Sequence, residues 1–348
     1  MDFIDTFEKR CNDLTSQWEI HPGYVLDKFH NLYNPKLVKT ENKEYPYFLY
    51  FFGESEEQFN PKFKGSDAIF LARGKDVDHW EVWSGEDHWD ETMNCKLWQP
   101  IVTAGDEDYD NCHAGDPTVV LKDSIYYMAY SSVGFSKVED LDKYIIINCV
   151  MAAKSIDGIH WDKSEAPILI WEKEYEQKWF AGDPMPSGTG SYHRPSLMFD
   201  DGKWKIWFDY FLPGTFLSMG YAENSGDILN PKDWSILNSG DCPQLKDWPN
   251  PTVTKIKDVF YSFCDAPGFD VRMGPHRQIV MAASKDGIHW EIQGRLVPES
   301  DFGTHVPEAS TIETEEGFWL YVFYSWQDQI CFPNYTKITY MRKFFEKK

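Results

Sequence analysis

Five places in this chain set a polar side chain at the mouth of an apolar run. Four are Asn34-Pro35, Asp116-Pro117, Arg194-Pro195 and Asn250-Pro251, and Glu308-Ala309 takes the fifth place. Asn, Asp and Pro are ordinary turn formers, but Arg194 and Glu308 are not favoured for that reason. Brought together, the five would line a pocket with two carboxyls, one guanidinium and two amides. A carboxyl pair of that kind can cleave an acetal: one member protonates the leaving oxygen while the other activates water or attacks. Crowding the pair raises one pKa and keeps that member protonated near neutrality. Asp116 and Glu308 are the candidates for this work, and Asn34, Arg194 and Asn250 are candidates for holding a ligand.

Other polar residues gather near the same places. His193 precedes Arg194, and His113 and His305 each stand three residues before a candidate carboxylate. Imidazole and carboxylate are common metal ligands, but the spacing matches no zinc pattern, so the histidines are expected to orient neighbours and no metal is expected. Asp183, in A-G-D-P-M-P, echoes the A-G-D-P around Asp116 and is a further catalytic candidate. Arg272 and Arg277, in R-M-G-P-H-R, offer guanidinium forks for an anionic group. Asp209 and Asp265 end strand-like passages and are held in reserve.

The elements that must position these residues repeat along the chain. A-A-K-S-I-D-G-I-H-W at Ala152 to Trp161 returns as A-A-S-K-D-G-I-H-W at Ala282 to Trp290, and in worn form as A-R-G-K-D-V-D-H-W at Ala72 to Trp80. Asp-Gly between apolar runs is a hairpin signal, and self-similarity at tens of residues marks a repeat architecture. Each candidate dipeptide opens a second two-strand passage, such as P-S-L-M-F-D-D-G-K-W-K-I-W-F from Pro195. The two signatures together predict an all-β, five-bladed β-propeller with four antiparallel strands per blade. Residues 1–348 are expected to form one domain, with 1–28 an N-terminal extension or closing segment.

The net charge of −22 disfavours nucleic acid and anionic membranes as partners. No tract is long and apolar enough for a transmembrane helix, and no signal peptide is read at the start. Seven scattered cysteines without a C-x-x-C suit reduced thiols, so a cytoplasmic protein is expected. Aromatic residues make up 17% of the chain, including 15 Trp, enough to fill blade cores and also to meet the flat faces of sugar rings. No phosphate loop, G-x-S-x-G or H-E-x-x-H motif is present, so no cofactor is expected and the chemistry must come from residues of different blades.

Units opening with Asp-Pro-like dipeptides, and hairpins reading S-x-D-G-x-x-W, resemble the five-bladed propeller glycoside hydrolases and phosphorylases. These include the arabinanase and β-xylosidase group, the invertase-like fructosidases and the mannoside phosphorylases. The hydrolase groups carry an Asp in the first blade as base or nucleophile; this chain has Asn34. The phosphorylases resemble it in an Asn-Pro first blade and in G-D-P-T-V-V-L-K-D-S-I-Y-Y-M-A-Y of the second, a likeness that implies Asp116 as proton donor. Their Asp-Pro is followed by Arg, whereas Thr118 stands here.

The expected function is hydrolysis of a glycosidic bond in a short oligosaccharide or chain end. The insertions Trp83 to Asn111 and Trp171 to His193 are expected to wall the mouth. The alternatives are phosphorolysis with inorganic phosphate and non-catalytic carbohydrate binding; inorganic phosphate or an anionic sugar is a further candidate partner.

Overall fold

The computed structural model describes residues 12–27, 32–54, 64–138, 143–170, 191–211, 218–238, 248–267, 277–300, 304–326 and 336–347. Among them there is strand and three single turns of 3-10 helix, with no α-helix. The strands form successive antiparallel units. The first is Tyr33–Lys39, Tyr47–Glu54, Asp67–Gly74 and Trp80–Gly85, with His88–Asp90 added at its edge. The second is His113–Lys122, Ile125–Val138, Lys143–Ser155 and Asp162–Lys163, and it touches the first through one parallel bridge, Asp67 with His113. The third is Ser191–Asp200, Lys203–Phe211, Ser218–Asn224 and Trp234–Asn238, and the fourth is Thr252–Ile256, Val259–Pro267, Arg277–Ser284 and Trp290–Ser300. The last contributes Thr304–Glu313, Gly317–Trp326 and Lys337–Glu346, and its outer strand comes from the other end of the chain, where Glu19 and Ile20 pair with Arg342 and Met341.

The first strands of the units neighbour one another in a closed cycle, first to second, third, fourth, fifth and back to the first. This is the geometry of a β-propeller. The cores follow the same circle. Phe48, Tyr50 and Phe52 of the first unit pack on Val119, Tyr126 and Met128 of the second. Trp207 and Tyr221 of the third pack on Val253 and Phe260 of the fourth. Leu37, Phe51 and Phe70 close the circle against Tyr321, Phe323 and Tyr340 of the last.

The repeated Asp-Gly hairpin is both a turn and a joint. Asp157 accepts hydrogen bonds from the N–H groups of Ile159 and His160, each 2.8 Å. Ser155 Oγ accepts from the N–H groups of Asp157 and Gly158. Gly158 has φ +78°, and its carbonyl accepts from the Tyr50 hydroxyl of the preceding unit at 3.1 Å. The second copy repeats the arrangement: Asp286 holds Ile288 and His289, and the Gly287 carbonyl accepts from Trp207 Nε1 at 2.8 Å. Glycine is required because the backbone is left-handed and because the neighbouring ring comes so close.

Most of the described tryptophans serve the cores. Trp98, Trp207 and Trp248 are fully buried, and Trp18, Trp80, Trp83, Trp204, Trp234 and Trp290 are nearly so. No described helix is long and apolar enough to cross a membrane.

Candidate active site

The residue before the opening proline has a left-handed backbone in every unit. Its φ is +49° at Asn34, +48° at Asp116, +49° at Arg194, +53° at Asn250 and +45° at Val306. The pairing with the second strand skips a step here in four of the units, for example between Gly115 and Thr118 and between His193 and Ser196. The bulge turns the side chain toward the axis and takes its N–H out of the strand ladder. A side chain of the preceding unit meets three of these N–H groups. Ser131 Oγ accepts from Arg194 at 2.7 Å, Asp209 Oδ1 from Asn250 at 2.9 Å, and Asp265 Oδ2 from Val306 at 3.3 Å. Left-handed φ is tolerable for Asn and Asp but strained for Arg and for a β-branched Val. Asp209 and Asp265 therefore sit beside the ring, not at remote strand ends.

This register corrects the fifth position. The equivalent of Asp116 is Val306, followed by Pro307, and Glu308 lies two residues farther on. It belongs to a second ring, Lys36, Thr118, Ser196, Thr252 and Glu308, all buried. There the Thr118, Ser196 and Thr252 hydroxyls accept from the N–H groups of Leu197, Val253 and Ala309 in the following units. Lys36 Nζ donates to the Ala309 carbonyl and lies 2.7 Å from Glu308 Oε1. Burial pushes the Glu308 carboxyl up, against the pull of Lys36.

The first ring opens into a cavity of about 340 Å³ lined by Tyr33, Phe52, His113, Asp116, His193, Arg194, Pro249, Asn250, Asp265 and Val306. That volume is at the small end of the ~300–1,000 Å³ usual for ligand pockets. Asp116 lines the cavity and is 1% exposed. Neither of its oxygens has a well-formed hydrogen bond among the described residues. Burial pushes its carboxyl up, against the pull of Arg194, His113 and the Ser131 hydroxyl. Arg194 Nη1 binds Asp209 Oδ2 at 3.1 Å, and its Nε lies 4.0 Å from Asp116 Oδ1. Burial pushes the Asp209 carboxyl up to about 7, against the pull of Arg194 and the Asn250 N–H. Asp265 Oδ2 also accepts from Asn250 Nδ2 at 3.1 Å.

Two imidazoles face Asp116. His193 Nε2 is 3.6 Å and His113 Nε2 is 3.9 Å from Asp116 Oδ2. His113 Nδ1 lies 2.5 Å from Asp67 Oδ1. Burial opposes a charge on His113, but the Asp67 carboxylate outweighs it and raises the imidazole above its ordinary value. Burial, then Arg194 and His113, hold His193 well below its ordinary value.

The structure therefore brings together Asp116, Arg194, His193, Asn250 and His113 from the sequence candidates. Asn34 is buried with its amide donating to the Pro117 carbonyl at 2.9 Å, and it does not line the cavity. Glu308 does not line it either. His305 and Arg277 lie in strands, with side chains outside the described residues; Asp183 and Arg272 lie outside them altogether. The insertion from Trp83 to Asn111 contributes nothing to the lining; instead Trp98 is buried and held by Asp90 at 3.0 Å. Among the described residues, Tyr33 and Phe52 are the aromatic faces of the cavity, and no tryptophan lines it. Asp67, which sequence reasoning missed, stands alone before an apolar run.

No protein-family model matches the chain, and no curated protein matches it in sequence. Solved structures do match in shape. Zg3597, a family 117 glycoside hydrolase from the marine bacterium Zobellia galactanivorans, superposes with a TM-score of 0.60 and 13% identity, over 93% of this chain and 90% of that one. A thermostable family-43 glycoside hydrolase gives 0.59 and 15%, over 95% and 96%. The α-L-arabinofuranosidase from Lactobacillus brevis gives 0.54 and 12%, over 92% of each. At these identities the likeness is one of fold: the chain has the β-propeller architecture of these enzymes, as the sequence resemblance implied.

Proposed function

We propose that the chain is a glycoside hydrolase, built as a five-bladed propeller, acting on a short oligosaccharide or chain end, with Asp116 as proton donor. The observation that carries this is the Asp116 carboxyl itself. It lines a small open cavity, is buried, has no well-formed hydrogen bond, and is pushed toward its protonated form. A carboxyl kept protonated in a cleft is the acid that departure of a glycosidic oxygen requires. Asp265 supplies a second carboxylate lining the same cavity. Glu308 is assigned to the ring closure with Lys36, so the acid–base pair is Asp116 with Asp265 and not Asp116 with Glu308. Tyr33 and Phe52 would pack on a sugar face, and Asn250 would meet a hydroxyl.

Hydrolysis is preferred over phosphorolysis because Arg194, the guanidinium on the described wall, is already engaged by Asp209 and Asp116. A cytoplasmic setting belongs to the same proposal, supported by free thiols at Cys95 and Cys112. The test is a panel of oligosaccharides and aryl glycosides incubated with and without inorganic phosphate. Release of reducing sugar independent of phosphate supports hydrolysis, and a phosphate-dependent sugar phosphate overturns it. Ligand binding with no turnover, unchanged in Asp116→Asn, would make the chain a carbohydrate-binding propeller.

A further inference from the structure

We propose that His113, Asp116 and His193 form a binding site for one divalent transition-metal ion of the zinc type. Three observations point to an ion there. The ligand atoms, two imidazole nitrogens and a carboxylate oxygen, all lie within 4.8 Å of one another. None has a well-formed hydrogen bond: His113 Nε2, His193 Nε2 and both Asp116 oxygens are buried and unmatched among the described residues, with the Ser131 hydroxyl near the carboxyl. Buried polar atoms rarely stay so, and three converging on one point share a missing partner. Third, Asp67 holds Nδ1 of His113 at 2.5 Å. That contact holds Nδ1 as the donor and leaves Nε2 facing Asp116, the carboxylate–histidine arrangement that orients metal ligands.

The donor set selects the class of ion. Two imidazoles and one carboxylate suit zinc and its late first-row neighbours, whereas calcium and magnesium take oxygen ligands. Zinc bonds of ~2.1 Å at tetrahedral angles place ligands ~3.4 Å apart. The separations of 3.6 and 3.9 Å to Asp116 Oδ2 need only small side-chain rotations to reach that. Charge is balanced as well. Arg194 approaches the other oxygen, Oδ1, and is neutralised by Asp209 at 3.1 Å, so Oδ2 is left for the ion. All three residues line the cavity, so water or a small ligand could reach the ion. A metal on Asp116 Oδ2 displaces the proton needed for acid catalysis, so the metal-loaded and protonated forms are alternatives. The ion is therefore an inhibitor of the proposed hydrolysis and not a participant in it.

The test is calorimetric titration of tag-free, chelator-stripped full-length protein with zinc chloride. No substrate enters, so its outcome is independent of whether the hydrolase reading stands. One tight equivalent is expected. His193→Ala should abolish it, and Asp67→Asn, which replaces the carboxylate partner of His113 by a neutral amide, should weaken it about 10- to 100-fold. Circular dichroism checks that both variants are folded. Zinc K-edge absorption on the wild-type complex is a second reading that needs no variant, and two imidazoles in the first shell are expected. No heat of binding, an equivalent untouched by His193→Ala, or a spectrum with sulfur ligands or a single imidazole would overturn the proposal.

Discussion

Lys36 and Glu308 meet at 2.7 Å, and their contact joins the first unit to the last. Their side chains are 9% and 1% exposed, so each charge depends on the other. Breaking a buried pair from one side leaves an unpaired charge and costs about 3–5 kcal/mol, whereas replacing both members by apolar groups is often neutral. Lys36→Met and Glu308→Leu should each lower stability by about that amount, and the double variant should recover most of it. Denaturant unfolding of the four proteins measures this. Equal stability throughout would remove the closing role assigned to Glu308.

Asn34 stands where the resemblance to propeller hydrolases implies an Asp. Its amide donates to the Pro117 carbonyl at 2.9 Å, so a carboxylate there would face an acceptor with nothing to donate. Asn34→Asp is expected to destabilise by about 1–3 kcal/mol and to add no catalytic rate. A gain in turnover would mean that the side chain reaches the substrate.

Gly158 and Gly202 share a left-handed backbone but not a neighbourhood. A Cβ on Gly158 would fall 2.6 Å from the Tyr50 hydroxyl, while one on Gly202 would meet nothing within 4 Å. Gly202→Ala should cost about 1–2 kcal/mol from backbone handedness alone. Gly158→Ala should cost clearly more, because the joint between units must also open. Thermal unfolding of both variants compares the two.

The hairpin aspartates carry a pH signature. Burial opposes ionisation of Asp157, but hydrogen bonds from His160, Ile159 and Ser155 prevail and hold its carboxyl at about 2, below the ordinary 3.8. A lowered folded-state pKa stabilises above the unfolded value and loses that contribution as pH falls through about 2. The stability gap between wild type and Asp157→Asn should therefore narrow as pH falls from about 5 toward about 2. A gap that widens would reverse the sign of the account.

The repeats made the architecture readable because each Asp-Gly turn demands the same residues: Ser to hold two N–H groups, Asp to hold two more, Gly for handedness. The gathering of Asp116, Arg194, His193 and His113 around one cavity was readable, because they cluster around one repeated dipeptide. It was misread at Glu308 because polarity was followed there and the proline was not. Val306-Pro307 keeps the backbone of the ring while losing its polarity, and a strained valine announces nothing in sequence. Asp67 and the second ring were unreadable for a different reason. Their partners lie in other units, and only the curvature of the whole ring brings Asp67 to His113 or Lys36 to Glu308.

The acid role proposed for Asp116 also has a pH consequence. Its folded-state pKa is raised by burial, so the protonated form persists above the ordinary carboxyl range and is lost as pH rises through the raised value. Turnover should fall on that alkaline limb, and Asp116→Asn should remove the limb with most of the rate. A wild-type profile flat across that range would argue that another group carries the proton.

The most direct test compares two leaving groups on wild type and Asp116→Asn. An unactivated oligosaccharide needs its leaving oxygen protonated, and a dinitrophenyl glycoside does not. The account predicts that the variant, folded by circular dichroism, loses about 10²- to 10⁴-fold on the oligosaccharide and keeps much of its rate on the activated glycoside. An equal loss on both substrates, or no loss on either, would contradict Asp116 as the proton donor.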